Sequence, residues 1–343
     1  MKSNCTHSRL PFVSLIPLAK LGKGMHSEAV SFMKKRESFC GLLVGNYTKY
    51  GPSRLQDQLF SGDFMAFIKH DHEEDVKHFV GDEAYGHIFG AKTIGMYCLT
   101  VSGTLLFEIE TVEELKGLLD LDENTAQVVF DGMIERMYKQ ISDETISKYG
   151  GSIKGVIGEY KVGSTIVDKL FRLGVWKQDE MALQEKENLY SFTLDKFIPK
   201  THSTLCDSSS NITSRKLMDS DFSQYVELKG MFEKEMGLTA SSLESLSYTF
   251  KTTITYGTFY GEKLCSTASL NSWSDSHATI GFVYTIPDMR RKGLARCTFD
   301  LLFQDCKDEL RLKCLDLFTN TADHFYIELG FELVGETCMC MSK

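Results

Sequence analysis

Four cationic side chains and a glycine lie close together in the last third of the chain. The cations are Arg290, Arg291, Lys292 and Arg296, and Gly293 stands immediately before residues with the apolar spacing of a helix. The first turn of a helix leaves several backbone N–H groups unpaired, with the positive end of the helix dipole behind them. Glycine lets a ligand approach that backbone closely. This stretch therefore predicts a binding site for an anion, above all a phosphate.

The residues on either side of this turn predict the elements that hold it. Thr279 to Thr285 is apolar and β-branched, as in a strand buried on both faces. Pro287 cannot donate a hydrogen bond to a sheet, so the strand must end near it. Helical spacing follows from Leu294 to about Glu309. The whole chain carries a net charge of −9, so a basic turn of this kind stands out.

Three motifs in this region resemble those of the GNAT superfamily of N-acetyltransferases. Arg290, Gly293 and Ala295 fill the R-x-x-G-x-A spacing of the acyl-CoA loop of that family. The V-Y-T-I-P run at 283–287 is similar to the end of the strand before that loop. Asn320 and the A-x-x-F-Y-x-x-x-G-F run at 322–331 are similar to the closing motif of the family. The resemblance covers about residues 213–343.

The resemblance implies a mixed α+β/α/β fold, in which helices flank a mostly antiparallel central sheet. This is the acyl-CoA N-acyltransferase fold, and we expect two such lobes. Residues 1–200 are predicted to form a degenerate GNAT-like lobe, residues 201–213 a Ser-rich linker, and residues 214–343 the acetyltransferase domain. No R-x-x-G-x-A spacing precedes residue 200, so we expect the first lobe to lack a CoA site of this kind.

The resemblance also implies roles for individual residues around acetyl-CoA. The backbone of Val283 and Thr285 would pair with the pantetheine arm, and Asn320 would reach the same arm from the neighbouring strand. Tyr326 would donate its phenolic proton to the departing thiolate; the structural alternative is an aromatic residue of the core. The loop residues expected to bind the cofactor are Arg290, Arg291, Lys292, Gly293, Leu294, Ala295 and Arg296.

The sequence identifies no general base. Many family members carry a glutamate early in the strand before the loop, where this chain has Ala278 to Ile280. His277, Asp275 and Asp316 are nearby substitutes, and an ordered water or an already neutral amine would also serve. The function expected from the resemblance is transfer of an acetyl group to a primary amine of a small molecule or an amino acid. The alternatives are a CoA-binding sensor or scaffold without turnover, and a protein lysine or N-terminal acetyltransferase.

Composition limits the classes to which the protein can belong. Its 343 residues suffice for two domains, and 42% hydrophobic residues with a net charge of −9 favour a globular protein that binds neither nucleic acid nor membranes. Ten scattered cysteines favour reduced thiols, so a cytoplasmic location is expected, and a homodimer is left open. No metal site is expected. His70, His72 and His78 lie among acidic residues, and Cys338 and Cys340 are expected to pack in a core.

Patterns in the first half predict elements but no chemistry. We expect residues 1–26 to form an irregular arm, Glu28–Phe39 a helix, and Cys40–Asn46 a short buried strand. Thr93–Ile109 reads as a hairpin. Asn188–Leu194 alternates and is expected to close the first lobe as a strand.

Overall fold

A computed structural model describes residues 12–55, 58–71, 91–141, 153–177, 181–198 and 211–342. The strands of these residues are β1 Phe12–Pro17, β2 Gly62–His70, β3 Lys92–Thr100, β4 Thr104–Ile109, β5 Gly155–Glu159, β6 Met181–Thr193, β7 Ile212–Lys216, β8 Ile254–Tyr260, β9 Lys263–Trp273, β10 His277–Thr285, β11 Cys314–Thr319 and β12 Glu332–Ser342. The α-helices are α1 Lys23–Lys35, α2 Glu37–Tyr50, α3 Val112–Leu119, α4 Glu123–Ile141, α5 Tyr160–Arg172, α6 Phe222–Glu235, α7 Leu243–Thr252, α8 Leu294–Asp308 and α9 Asp323–Leu329.

These strands form one continuous sheet. Its order is β1-β2-β3-β4-β5-β12-β6-β11-β10-β9-β8-β7. Neighbouring strands are antiparallel except for the pairs β4–β5 and β10–β11, which are parallel. The mixed, mostly antiparallel sheet expected from the sequence is thus confirmed. Among the described residues each half contributes six strands in the same succession, so the two parallel pairs occupy equivalent places in the two halves. The first half has α3 and α4 between its parallel strands, where the second half has α8.

The last strand of each half pairs with strands of the other half. β6, from the first half, pairs through Asn188–Thr193 with the whole of β11, and it also pairs with β12. β12, from the end of the chain, pairs with β5 of the first half as well as with β6. The strand predicted at Asn188–Leu194 exists, but it is longer and lies against the second half. The exchange joins the halves by backbone hydrogen bonds, which a sequence pattern cannot reveal.

Helices cover both faces of the sheet. On one face α3, α4 and α5 cover the first half, and α8 and α9 cover the second half through Phe299, Leu302 and Tyr326. On the opposite face α1 and α2 cover the first half, and α6 covers the second half, where Phe232 packs on Phe282. In the described part of the chain, none of the helices combines the length and apolarity needed to span a membrane.

α2 lies across the junction between the halves, in the region where the sequence predicts a strand at Cys40–Asn46. That prediction is wrong. A Cβ atom added at Gly41 would lie 2.7 Å from Thr279 Oγ1, and one at Gly45 would overlap Ser272. Two glycines four residues apart give a helix a bare stripe that can approach a sheet closely. The residues between the two glycines are apolar. A short apolar run is typical of a buried helix segment as well as of a buried strand, so this pattern does not distinguish the two.

Other expectations for local structure are partly corrected. Residues 12–17, expected in an irregular arm, form edge strand β1, which pairs with β2. α7 was not predicted, and β7 begins at Ile212, inside the predicted linker. His72 and His78 lie outside the described residues, whereas His70 shares a hydrogen bond with Ser14 at 2.8 Å. The described residues contain no group of three or more His, Cys, Asp or Glu side chains that could hold a metal ion.

Candidate functional site

β10 and β11 diverge soon after they begin. Their parallel pairing runs from His277–Thr279 to Cys314–Asp316 and stops there. Beyond this point β10 pairs with β9, through Tyr284 and Thr285. β11 stays paired with β6 as far as Thr319. The remainder of the two strands therefore forms the sides of a cleft that widens toward the end of β10.

A β-bulge interrupts β10 within this cleft. The register with β9 shifts between Gly281 and Tyr284, so Phe282 and Val283 have no paired residues of their own. Phe282 has φ +46°, a conformation that bulky residues rarely adopt. Bulges bend a strand and redirect its backbone groups. The Phe282 carbonyl accepts from the Thr267 hydroxyl at 3.4 Å, whereas Val283 has no partner residue in β9. An extended ligand in the cleft could therefore pair with the backbone at this point.

The basic turn lies at the mouth of the cleft. A 3-10 turn at Pro287–Met289 follows β10, and α8 begins after Gly293, which has φ +79°. No side chain caps this helix, and the Gly293 carbonyl receives its bond from the Cys297 N–H. Among the described residues, the N–H groups between these two positions have no acceptor. With the positive end of the α8 dipole they form a site suited to phosphate.

The cations of the turn have different partners. Arg290 donates to Glu235 at 2.7 Å and to the Thr285 carbonyl at 2.9 Å, so its side chain fixes the turn to α6. The hydrogen bond from Arg290 also lowers the pKa of Glu235. Arg291, with φ +61°, and Lys292 are exposed and make no ion pair with the described residues. These two side chains are the ones available to an anion.

Tyr326 lies on α9 beside the cleft. It is 7% exposed and packs against Phe299 and Phe331. Burial, and to a smaller extent the charge of Asp323, raises the pKa of Tyr326 above its usual range. Its hydroxyl makes no hydrogen bond with the described residues. The phenol therefore keeps its proton at neutral pH.

Asn320 follows β11 directly and is exposed. It stands two residues before Ala322, whereas in the family pattern the asparagine stands three residues before the alanine. Thr319 occupies that place, and its hydroxyl accepts from the Thr321 N–H at 2.9 Å. The position of Asn320 at the open end of β11 still leaves its amide near the cleft.

The three candidate bases are in different environments. Asp275 is 82% exposed and lies 3.4 Å from Lys34. His277 Nδ1 lies 3.0 Å from Glu37 Oε2 at the start of α2. Asp316 is completely buried under α2, and burial raises its pKa. The structure thus brings His277 and Asp316 together on the face covered by α2 and leaves Asp275 at the surface.

The equivalent cleft of the first half is filled. β4 and β5 also part after three residue pairs, ending at Leu106 and Ile157. The next residue of β4, Phe107, lies so close to Gly158 of β5 that a Cβ there would overlap its ring. The same ring lies 3.2 Å from a Cβ placed on Gly163 of α5. The Phe107 ring therefore fills the space directly after the point where β4 and β5 part.

Charge also distinguishes the two halves. Arg36 lies 2.8 Å from Glu108, 3.2 Å from Glu114 and 3.9 Å from Glu110. Burial raises the pKa of Glu108 to about 8 even beside this cation. Thr111 and Glu114 close the N-terminus of α3 with a capping box. The turn after β4 is therefore acidic and capped, whereas the turn after β10 is basic and open.

The family of the chain follows from comparison with known proteins. The model of the GNAT acetyltransferase family matches residues 117–339, well over half of the sequence. The chain belongs to the GNAT acetyltransferase family. It is therefore an acyltransferase, and acetyl-CoA is its acyl donor. No curated protein matches the sequence.

Solved structures share the fold of this GNAT protein over nearly its whole length. A Drosophila protein is 13% identical, with 95% of this chain and 98% of that chain covered and a TM-score of 0.53. A GCN5-related N-acetyltransferase from Sphaerobacter thermophilus is 11% identical, with 95% and 94% covered and a TM-score of 0.50. At these identities the likeness shows the fold alone.

Several residues of the site gave no sequence signal. Glu235 holds Arg290 from 55 positions away, and neither residue predicts the other. The bulge at Phe282 has no marker, since a phenylalanine predicts ordinary strand geometry. Lys229 of α6, which lies against the Phe282 ring, reads in the sequence as one more surface lysine.

Proposed function

We propose that this GNAT protein transfers the acetyl group of acetyl-CoA to a primary amine of a small molecule or an amino acid. The observation that carries the proposal is the cleft between β10 and β11, with the uncapped start of α8 at its mouth. A cleft between two strands suits an extended pantetheine arm, and an open helix N-terminus suits a pyrophosphate. Both features occur here in one place.

The residues around this cleft fit acetyl-CoA. The N–H groups of Gly293, Leu294, Ala295 and Arg296 would hold the pyrophosphate, and the side chains of Arg291 and Lys292 would add charge. Arg290 would act indirectly, because its guanidinium is already bonded to Glu235. In the cleft, the backbone of Val283 and Thr285 would pair with the pantetheine arm. Asn320 would contact that arm from the end of β11.

Acetyl-CoA supplies an activated thioester. Tyr326 would donate its proton to the departing thiolate, and its raised pKa keeps that proton available. A backbone N–H group at the bulge would polarise the thioester carbonyl. We assign no side chain as general base: Asp275 lies at the surface, and α2 covers Asp316. The amine would enter neutral or lose its proton to water.

Contacts from the first half of the chain favour a small acceptor. On the face opposite α8, Tyr248 of α7 donates to Gln58 at 3.0 Å. Lys49 donates to the Thr252 carbonyl at 2.7 Å. These contacts join the first half of the chain to α7 and would narrow the space for a protein substrate on this face. A small molecule or an amino acid needs no such groove.

Release of free thiol from acetyl-CoA, measured across a panel of amines, amino acids and lysine peptides, tests this function. We expect turnover with at least one small amine or amino acid, and none above the background rate with the peptides. Binding of acetyl-CoA without turnover on any acceptor would contradict the proposal and would favour a sensor. Turnover on peptides alone would favour a protein acetyltransferase.

A further inference from the structure

Lys229 occupies an unusual position for a lysine. It lies on α6, and its Nζ is 4.7 Å from the ring centres of both Phe232 and Phe282. The side chain is partly buried rather than extended into solvent. Among the described residues it makes no hydrogen bond and no ion pair. Three N–H donors are thus held between two aromatic rings without an acceptor.

The ring of Phe282 connects this lysine with the cleft. Phe282 is the bulge residue of β10, so its backbone borders the cleft. Its side chain points to the opposite face of the sheet from α8, where it packs on Tyr225 and Phe232 with ring centres 5.4 and 5.5 Å apart. An acceptor that approaches the cleft from this face would pass the Lys229 ammonium.

The charge of Lys229 is incompletely balanced. Burial lowers its pKa, and the nearby charge of Glu233 opposes this effect only in part. Glu233 is already occupied, since it accepts hydrogen bonds from the Ser241 N–H at 3.0 Å and the Ser241 hydroxyl at 2.7 Å. Aromatic faces stabilise an ammonium but accept none of its directed hydrogen bonds in the way that an oxygen does. A desolvated cation of this kind favours an anionic partner.

We propose that Lys229 binds the carboxylate of the acceptor, and that the acceptors are amino carboxylic acids. This proposal rests on the proposed acetyltransferase function and narrows its substrate class. A carboxylate supplies the missing acceptor oxygens, and the surrounding rings contact the apolar part of the substrate. A polyamine would bring a second cation next to Lys229, and the two like charges would repel each other. An acceptor with one carboxylate and a neutral amine matches the site better than a polyamine does.

Matched pairs of acceptors test this assignment directly. Glycine would be compared with glycinamide, and phenylalanine with phenylethylamine, in the wild type and in Lys229→Met. We expect the wild type to prefer the acids by roughly tenfold or more in kcat/KM. Lys229→Met keeps the length and the apolar contacts of the side chain. It should raise KM for the acids until the preference is lost, while kcat/KM for the amides and amines stays within about a factor of two.

Two controls separate binding of the carboxylate from a structural role. Lys234→Met, at an exposed lysine of the same helix, should leave the preference intact. Lys229→Arg keeps the charge and should retain part of the preference. An equal loss for acids and amines in Lys229→Met would overturn the proposal, as would a wild type that does not prefer acids.

Titration with acetyl-CoA distinguishes this proposal from the one on which it rests. If the wild type binds acetyl-CoA but acetylates none of the twenty amino acids, the role of Lys229 is wrong and the cofactor site stands. If the wild type does not bind acetyl-CoA, the proposed function fails, and this assignment fails with it.

Discussion

Gly293 allows the start of α8 to face an anion. Its φ of +79° is in the left-handed region, and its N–H belongs to the open turn. Gly293→Asp would strain the turn and place a negative charge where we expect the pyrophosphate. Calorimetry should therefore show that binding of acetyl-CoA is lost while the fold, monitored by circular dichroism, persists.

The hairpin glycine Gly261 provides a matched control. It has φ +60° and lies in the turn between β8 and β9, so Gly261→Asp imposes a similar backbone strain outside the turn in which we expect the pyrophosphate. We expect this variant to bind acetyl-CoA with the affinity of the wild type. Unchanged affinity in Gly293→Asp would exclude the basic turn as the phosphate site.

Tyr326 is expected to act through its proton alone. Tyr326→Phe keeps the ring that packs on Phe299 and Phe331 and removes the hydroxyl. Steady-state kinetics should show kcat reduced by roughly 10²- to 10⁴-fold, as is typical of a lost general acid. The affinity for acetyl-CoA should be nearly unchanged. Tyr256→Phe removes a buried hydroxyl from the same core and should not affect kcat. If the kcat of Tyr326→Phe is within a factor of two of the wild-type value, the phenol of Tyr326 has only a structural role.

Helices and strands were predictable from the sequence where residues close together in the chain determine them. The strand, proline, basic turn and helix between Thr279 and Asp308 follow from residues within a few positions of one another, and the structure has them at nearly the predicted bounds. Elements that depend on distant partners were not predictable. The glycines of α2 are explained only by the sheet beneath them, and the place of β6 between β11 and β12 only by the complete sheet.

The start of α2 joins the two halves through a buried ion pair. Burial alone would raise the pKa of Glu37, but hydrogen bonds from His277, Ser274 and Ser276 outweigh it and lower the pKa from 4.5 to about 2. Burial would lower the pKa of His277, but the hydrogen bond to Glu37 and the charge of Asp316 raise it above 6.5. The contribution of Glu37 to the free energy of unfolding is lost as the pH falls toward 2. That of His277 is lost as the pH rises through its raised pKa.

The lowered pKa of Glu37 and the raised pKa of His277 predict that the stability of the protein depends on pH. Between about pH 4.5 and 6.5 both partners are charged, and Glu37→Gln should cost about 2–3 kcal/mol of unfolding free energy. Above that range the cost should decrease as His277 loses its proton. Denaturant unfolding of both proteins from pH 5 to 8 measures the difference. As a control, Lys34→Met removes an exposed ion pair with Asp275 and should cost less than about 1 kcal/mol of unfolding free energy. If the cost of Glu37→Gln is constant from pH 5 to 8, Glu37 is not paired with a charged His277.

The described part of the chain forms one sheet in which two parallel strand pairs diverge, and the open basic turn lies beside only the second pair. The sequence predicts a linker at residues 201–213, and hydrogen bonds of β6 and β12 cross from one half of the chain to the other. Residues 214–343 alone would lack β6, the neighbour of both β11 and β12. The first half therefore completes the sheet on which the cofactor cleft is built. Its own cleft is closed by Phe107 and bordered by acidic residues.

The number of acetyl-CoA molecules bound by the intact chain tests the central claim most directly. Only the cleft between β10 and β11 combines diverging strands with an open basic turn among the described residues. Calorimetric titration of the full chain should give one site. A stoichiometry of two would mean that residues 1–200 contain a phosphate site, and the absence of binding would mean that the cleft does not hold acetyl-CoA; either result would contradict the assignment.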